Sequence, residues 1–180
     1  MTTHLTLLTV FLLGTAPAGP AAAPHVTVSE TGGLYSVTAR FEIPQTASVA
    51  LAVLSDYEQI PRFMPDVRKS VVLERGPNRL LVEQEAVSQF MMFKKTVHLI
   101  LEVVEDGAAI RFIDKSGKSF QSYEGSWLAE TKGDGTTITY ELTARPGFDV
   151  PEFILKRLLK RDSVEMINRL RNEFAARASK

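Results

Sequence analysis

The C-terminal stretch PEFILKRLLKRDSVEMINRLRNEFAARA, residues 151–178, has the repeat of an amphipathic helix. Pro151 suits the first turn of a helix, where a missing N–H costs nothing. Apolar side chains recur every three or four residues and share one face: Leu155, Leu158, Leu159, Met166, Leu170 and Phe174. At about 1.5 Å per residue this helix spans on the order of 40 Å. We therefore predict one long helix that lies across most of a sheet.

The chain before this helix alternates between apolar and polar residues, which is typical of half-buried strands. Turn residues separate the runs, and Asp106-Gly107 and Gly133-Asp134-Gly135 supply the positive φ of tight hairpins. Such short connections favour antiparallel pairing of successive strands. The pattern predicts about seven strands, at residues 34–43, 70–73, 80–87, 96–104, 109–113, 120–128 and 137–144.

Two short helices are predicted after the first of these strands. Pro44 ends the strand, and Thr46 offers an N-cap to ASVALAVLSD, in which apolar residues recur at helical spacing. Pro61 and Pro65 then permit at most a short helical turn. The order of elements predicts an α+β fold in which a curved antiparallel sheet wraps around the terminal helix.

The N-terminal region is predicted to be a secretory signal and linker, residues 1–23, before a single domain at residues 24–180. Leu5 to Leu13 read LTLLTVFLL, an apolar run of nine residues followed by small residues and prolines. This run is too short to cross a bilayer as a helix. Ala16-Pro17-Ala18 fits a cleavage pattern, so we expect cleavage after Ala18 and a periplasmic or secreted protein. A misassigned start or an uncleaved apolar tail is the competing interpretation.

Composition excludes several classes of protein. The 180 residues suit one domain, and 44% hydrophobic with 23% charged residues is ordinary for a globular protein. The absence of cysteine rules out thiol catalysis, disulfides and cysteine-held metal centres. Three scattered histidines do not suggest a metal site, and 21 basic against 21 acidic residues argue against a nucleic-acid partner. We expect neither a metal nor another cofactor.

The zero net charge hides an uneven distribution. Residues 152–180 carry eight basic and four acidic side chains, whereas the rest of the chain carries 13 basic and 17 acidic ones. The terminal helix is thus a basic element on an acidic body. Its basic ladder consists of Lys156, Arg157, Lys160 and Arg161. Two interpretations of the ladder stay open, a solvated helix face and a contact with anionic lipid headgroups.

The stretch Phe90-Met91-Met92-Phe93, followed by Lys94 and Lys95, is a second candidate for membrane contact. Large flexible apolar residues beside lysines, at a strand junction, fit a mobile cavity rim or a loop that touches a membrane. The alternative is a hairpin end packed under the long helix.

Three stretches carry a family pattern. DYEQIPRFMPDV, residues 56–67, has the spacing D-x-x-x-I-P-x-F-x-P. FQSYEGSWLAE contains a strand ending in Trp127, and Gly135-Thr136-Thr137 with Tyr140 marks the strand after it. Together they resemble the START-like helix-grip (SRPBCC) superfamily, in particular its polyketide cyclase/dehydrase and coenzyme Q-binding branch. The resemblance covers about Leu34 to Arg177 and implies the helix-grip fold.

This resemblance also implies a deep apolar cavity between the sheet and the terminal helix, which relatives use to hold lipids, quinones or polyketides. If Trp127 faces the helix, alternate residues on the neighbouring strands face it too. The expected ligand-binding residues are Gln84, Ile110, Phe112, Tyr123, Trp127, Ile138, Tyr140, Leu155 and Leu159. Gln84 and Tyr140 are then polar tips inside an apolar chamber, as a ligand pocket needs. The alternative is that these side chains only fill a core.

No catalytic residue is predicted, because the inward registers carry almost no carboxylate or histidine to transfer a proton. His98 falls in an outward register, and Asp114 lies at a strand end beside Lys115, where a turn is the expected role. We expect a protein that binds or shuttles a hydrophobic small molecule and contacts an anionic membrane transiently. Two alternatives stay open: a polyketide cyclase or dehydratase, and a protein-interaction module without ligand.

Overall fold

The computed structural model describes residues 23–90 and 93–179, and this part of the chain has an α+β fold with eight strands and a long C-terminal helix. The strands are β1 (His25–Thr31), β2 (Leu34–Ile43), β3 (Val67–Arg75), β4 (Arg79–Phe90), β5 (Phe93–Asp106), β6 (Ala109–Asp114), β7 (Phe120–Lys132) and β8 (Gly135–Pro146). The helices are α1 (Ala47–Leu54), α2 (Ile60–Phe63) and α3 (Glu152–Ala178), with a 3₁₀ turn at Tyr57–Gln59. The predicted fold class is confirmed.

The described strands form one antiparallel sheet in the order β1-β2-β8-β7-β6-β5-β4-β3. β3 to β8 follow one another as hairpins, as the turn residues predict. The short helices carry the chain from β2 to the opposite edge of the sheet. α3 contacts β1, β2 and β4, which lie toward both edges. Because a flat sheet cannot touch one helix in this way, the sheet curves around α3.

The strand count is one higher than predicted, because His25–Thr31 forms β1. The register places Val26 opposite Ala39, and Val26 is buried. β1 contains only two apolar residues, which is too short an alternation to predict a strand. Gly32 and Gly33, with φ values of 58° and 79°, make the tight turn into β2. The two short helices therefore follow the second strand.

α3 buries one face, as its apolar repeat predicts. The buried residues are Leu155, Leu158, Ser163, Ile167, Leu170 and Phe174. Ile167 and Phe174 are fully enclosed, whereas Leu159 and Met166 are half-buried. Among the helices of the described residues, none combines the length and the hydrophobicity needed to cross a membrane.

An ion pair holds the C-terminal end of α3. Arg177 Nη2 donates to Asp56 Oδ2 at 2.7 Å, and Arg177 Nε donates to Glu173 Oε1 at 2.7 Å. These hydrogen bonds raise the pKa of Arg177. Asp56 is the first residue of the DYEQIPRFMPDV stretch, so this part of the pattern has a structural role. It anchors α3 to the loop that follows α1.

Gly125 allows close packing at the centre of β7. A Cβ at this position would lie 2.3 Å from the carbonyl oxygen of Glu141 and 2.6 Å from Cζ of Phe112. Both distances are far inside van der Waals contact, so the ring of Phe112 can lie against β7 only beside a glycine.

Candidate functional site

A cavity of about 640 Å³ lies between the inner face of the sheet and α3. Strands β4 to β8 supply its floor, α3 its roof, and α1, the 3₁₀ turn and α2 one of its sides. This volume is within the range of small-molecule sites, about 300–1,000 Å³. The side chains around it are mostly apolar. A single helix laid across a curved sheet leaves this space unfilled.

The structure brings eight of the nine proposed ligand-binding residues to the cavity wall: Gln84, Ile110, Phe112, Tyr123, Trp127, Tyr140, Leu155 and Leu159. Ile138 does not reach the wall. It faces the same side of the sheet but is 0% exposed within the core, so it packs behind the wall. The amide of Gln84 donates to Ser70 Oγ at 3.2 Å, which fixes this polar side chain against β3.

Aromatic rings on β6, β7 and β8 form one part of the wall. The ring centroids of Phe112 and Tyr123 are 6.0 Å apart, and those of Phe120 and Tyr123 are 4.8 Å apart. Trp127 packs on Tyr140 with centroids 4.3 Å apart. Tilted aromatic pairs at such distances stabilise the fold in addition to the stabilisation that comes from burying their apolar surface. Trp127 is also the only tryptophan of the chain, so its fluorescence reports on what occupies the cavity.

Two tyrosine hydroxyls interact inside the cavity. Desolvation by burial raises the pKa of Tyr123 to about 12 and raises the pKa of Tyr140 well above its ordinary value. A side-chain hydrogen bond joins the two groups, and it acts to lower the pKa of Tyr123 and to raise that of Tyr140. Both hydroxyls therefore stay protonated at physiological pH.

Tyr57 is a wall residue that sequence reasoning missed. Its hydroxyl donates to Glu105 Oε1 at 2.7 Å, and burial, followed by this bond, raises the pKa of Tyr57. Ile60, Phe63 and Met64 from the same stretch also line the cavity. Their spacing of three and four residues is the signal that could have identified one apolar face.

The charged side chains of the cavity wall all reach solvent, and we define the part of the wall that they form as the entrance of the cavity. The charged lining residues are Asp66, Arg68, Lys94, Lys95, Arg161, Asp162, Glu165 and Arg169, and none of them is buried. Arg169 Nη1 donates to Asp66 Oδ2 at 3.0 Å, and Ser88 Oγ donates to Asp162 Oδ2 at 2.6 Å. These bonds connect α3 to the segment before β3 and to β4. Within the described residues, charge at this cavity is thus confined to its entrance.

A family comparison agrees with this architecture. Residues 43–171 match the family model described as polyketide cyclase/dehydrase and lipid transport. The chain belongs to this family. The match confirms the resemblance to the START-like superfamily, whereas the coenzyme Q-binding branch stays a prediction. No curated protein sequence matches the chain.

Solved structures share the fold of this family member. A STAR-related lipid transfer protein from Xanthomonas axonopodis is 19% identical with a TM-score of 0.70, covering 88% of this chain and 97% of its own. The Zhui aromatase/cyclase from Streptomyces sp. R1128 is 17% identical with a TM-score of 0.68, covering 81% and 96%. Human STARD10 is 14% identical with a TM-score of 0.63, covering 85% and 73%. At these identities the likeness shows the fold.

The hairpin between β4 and β5 holds part of the expected membrane contact. Phe90 is the last residue of β4, and Phe93 is the first residue of β5. Met91 and Met92 lie outside the described residues. Ser88 lies two residues before the end of β4, and its bond to Asp162 places this end of the hairpin beside α3.

The basic ladder lies in the first half of α3. Lys156 forms an ion pair of 3.4 Å with the residue four positions earlier, whereas Arg157 and Lys160 are exposed. Arg161 belongs to the charged entrance of the cavity. Phe153, in the first turn of the helix, is 69% exposed. The ladder is therefore solvent-accessible beside an exposed aromatic ring.

His98 and Asp114 are not among the residues that line the cavity. His98 is exposed, with Nδ1 3.4 Å from a carboxylate oxygen of Glu85. Asp114 Oδ1 accepts hydrogen bonds from the backbone N–H groups of Ile100 and Ser116, both at 2.9 Å. Asp114 thus holds the turn after β6, as expected. In the described part of the chain, no three histidine, aspartate or glutamate residues are grouped to hold a metal ion.

The raised tyrosine pKa values predict a loss of stability in alkali. Burial raises the pKa of all four tyrosines, which are Tyr35, Tyr57, Tyr123 and Tyr140. Tyrosines of the unfolded chain ionise near about pH 10. Since the folded protein keeps these protons to higher pH, ionisation stabilises the unfolded state first. We expect the free energy of unfolding to fall above about pH 10 by on the order of 1 kcal/mol per pH unit for each buried tyrosine.

Urea unfolding between about pH 9 and about pH 11, followed together with phenolate absorbance, checks this prediction. The absorbance should rise only as the protein unfolds. Phenolate that appears with a midpoint near about pH 10 in a still-folded protein would contradict it.

Proposed function

We propose that this protein binds a hydrophobic small molecule, such as a lipid, a quinone or a polyketide-like compound, and carries it without changing it chemically. The observation that supports this most directly is the apolar cavity of about 640 Å³ with its charged entrance. The family description joins cyclisation, dehydration and lipid transport. The structural neighbours include proteins named for lipid transfer and for aromatase/cyclase activity.

The polar groups of the interior favour binding over catalysis. The raised pKa values of Tyr57, Tyr123 and Tyr140 keep their hydroxyls protonated near neutral pH. The amide of Gln84 is neither an acid nor a base near neutral pH. A cyclase or dehydratase needs a group that transfers protons at its working pH. On the described part of the wall, groups of this kind lie at the entrance and not in the interior. The interior therefore suits a site that orients a neutral ligand.

Filling the cavity is expected to block binding. Val97 is half-buried on the β5 wall, and Val97→Phe adds a ring where the cavity now lies. We expect the affinity for the fluorescent apolar probe aminoanthracene to fall about tenfold or more, because probe and ring compete for the same space. Energy transfer from Trp127 measures this affinity.

Ile113→Phe is the matched control for this experiment. Ile113 is 39% exposed and borders a groove on the outer face of the sheet, so the same enlargement leaves the cavity unchanged. The control should bind the probe like the wild type. Unchanged binding by Val97→Phe, or an equal loss in both variants, would place the bound probe outside the cavity.

We propose further that the first half of α3 and the cavity entrance contact an anionic membrane while ligand is loaded or released. Phe153 is exposed beside Arg157 and Lys160, and Lys94 and Arg161 lie at the entrance itself. An exposed aromatic ring inserts favourably at a membrane interface. Each basic residue near an anionic surface contributes about 1 kcal/mol. These features support a shared docking face.

Removing two of these charges should weaken membrane binding. We expect the double variant Arg157→Gln/Lys160→Gln to bind phosphatidylglycerol-containing vesicles roughly 30-fold less tightly, from about 1 kcal/mol per charge. The matched control is Arg40→Gln/Lys132→Gln, which removes two exposed charges outside the cavity lining. Co-sedimentation with vesicles measures both. Equal losses in the two double variants would show that only net charge matters and would overturn the docking face.

We propose that residues 1–23 direct export of the protein. The apolar run Leu5 to Leu13 and the small residues after it support this, and they lie outside the described residues. Intact-mass measurement of the protein from its own cells should find a chain that begins at Gly19. A chain that retains Met1 in the cytosolic fraction would contradict export.

A further inference from the structure

The phenol rings of Tyr123 and Tyr140 are held in place on the cavity wall. Tyr123 lies on β7 with Phe120 and Phe112 at centroid distances of 4.8 Å and 6.0 Å. Tyr140 lies on β8 against Trp127, at 4.3 Å. The neighbouring rings restrict both phenols, so their hydroxyls form a polar point of defined position on an aromatic surface.

The hydroxyls of Tyr123 and Tyr140 together carry two protons, and a hydrogen bond between them uses one of the two. Tyr123 is half-buried, whereas Tyr140 is only 5% exposed and packs on Trp127. Tyr123 is thus the more accessible of the two, and its hydroxyl is the one that can offer the remaining proton to a partner inside the cavity.

Two other polar side chains of the cavity wall have hydrogen-bond partners within the protein. Tyr57 donates to Glu105 at 2.7 Å, and the amide of Gln84 donates to Ser70 at 3.2 Å. In the described part of the chain, the charged lining residues are at the entrance. A carboxylate buried beside the tyrosine pair would lack a cation, which is strongly unfavourable. An uncharged oxygen would gain a donor without that cost.

We propose that Tyr123 determines specificity by donating a hydrogen bond to an uncharged carbonyl oxygen at the buried end of the ligand, and that Tyr140 positions Tyr123. This inference rests on the proposed function, since it requires a hydrophobic ligand in the cavity. The ligand then enters with its neutral carbonyl end first. Any charged group of the ligand stays at the entrance, near side chains such as Lys94 and Arg169.

Two dimethylaminonaphthalene probes test the proposal in the full chain. One carries a propionyl ketone, and the other carries a propyl group without the oxygen. Energy transfer from Trp127 measures the affinity for both probes. The emission of the ketone probe also moves to longer wavelength when its carbonyl accepts a hydrogen bond. We expect Tyr123→Phe to weaken ketone binding about threefold to tenfold, to leave propyl binding unchanged, and to shift the bound ketone emission to shorter wavelength.

Two further variants complete the design. Tyr140→Phe should keep more of the ketone preference than Tyr123→Phe, because Tyr123 still donates. Ser126→Ala removes a hydroxyl beside the groove on the outer face of β7 and should match the wild type with both probes.

The outcomes separate this inference from the proposed function. If Tyr123→Phe weakens both probes equally, or leaves ketone affinity and emission unchanged, Tyr123 is not the donor and the proposed function stands. A larger loss in Tyr140→Phe than in Tyr123→Phe would assign the donor to Tyr140 and overturn the role of Tyr123. A wild-type protein that binds neither probe overturns the proposed function itself.

Discussion

The rest of the structure depends on how α3 packs against the curved sheet. The C-terminal half of α3 is fixed, because Ile167 and Phe174 are fully buried and Arg177 bonds to Asp56. The cavity roof is formed by the part of α3 that runs from Leu155 to Leu170. One helix cannot fill the concave side of an eight-stranded sheet. The C-terminal end of α3 is therefore fixed against the core, while an apolar space stays open under the helix between Leu155 and Leu170, and this space is the candidate site.

The polarity of that space follows from the cost of burying charge. Unpaired ions are unfavourable in an apolar interior, so the charged side chains of the wall lie where it meets solvent. There the Asp66–Arg169 ion pair links α3 to the segment before β3. The inner wall keeps neutral donors such as Tyr123, whose burial raises its pKa and preserves its proton. Neutral interior and charged entrance together favour a lipophilic ligand with an uncharged buried end.

Local periodicity explains how much could be predicted from the sequence. Alternation along the strands placed Trp127 and Tyr140 on the inner face, and the helical repeat oriented α3. Features that depend on distant partners could not be predicted: Asp66 and Arg169 are 103 positions apart. Alternation shows which side of the sheet a residue faces but not how deeply it is buried. Ile138 was therefore assigned to the cavity wall, although it packs behind that wall. β1 was missed because its apolar pattern is short and its stability comes from pairing with β2.

Native mass spectrometry of the protein purified from its own source, with organic extraction of whatever it carries, tests the central claim most directly. The account predicts one hydrophobic molecule per chain, released unchanged by solvent, with a neutral carbonyl among its functional groups. A protein that is recovered empty, and that takes up no lipid, quinone or fatty acyl compound when these are supplied, would contradict the account.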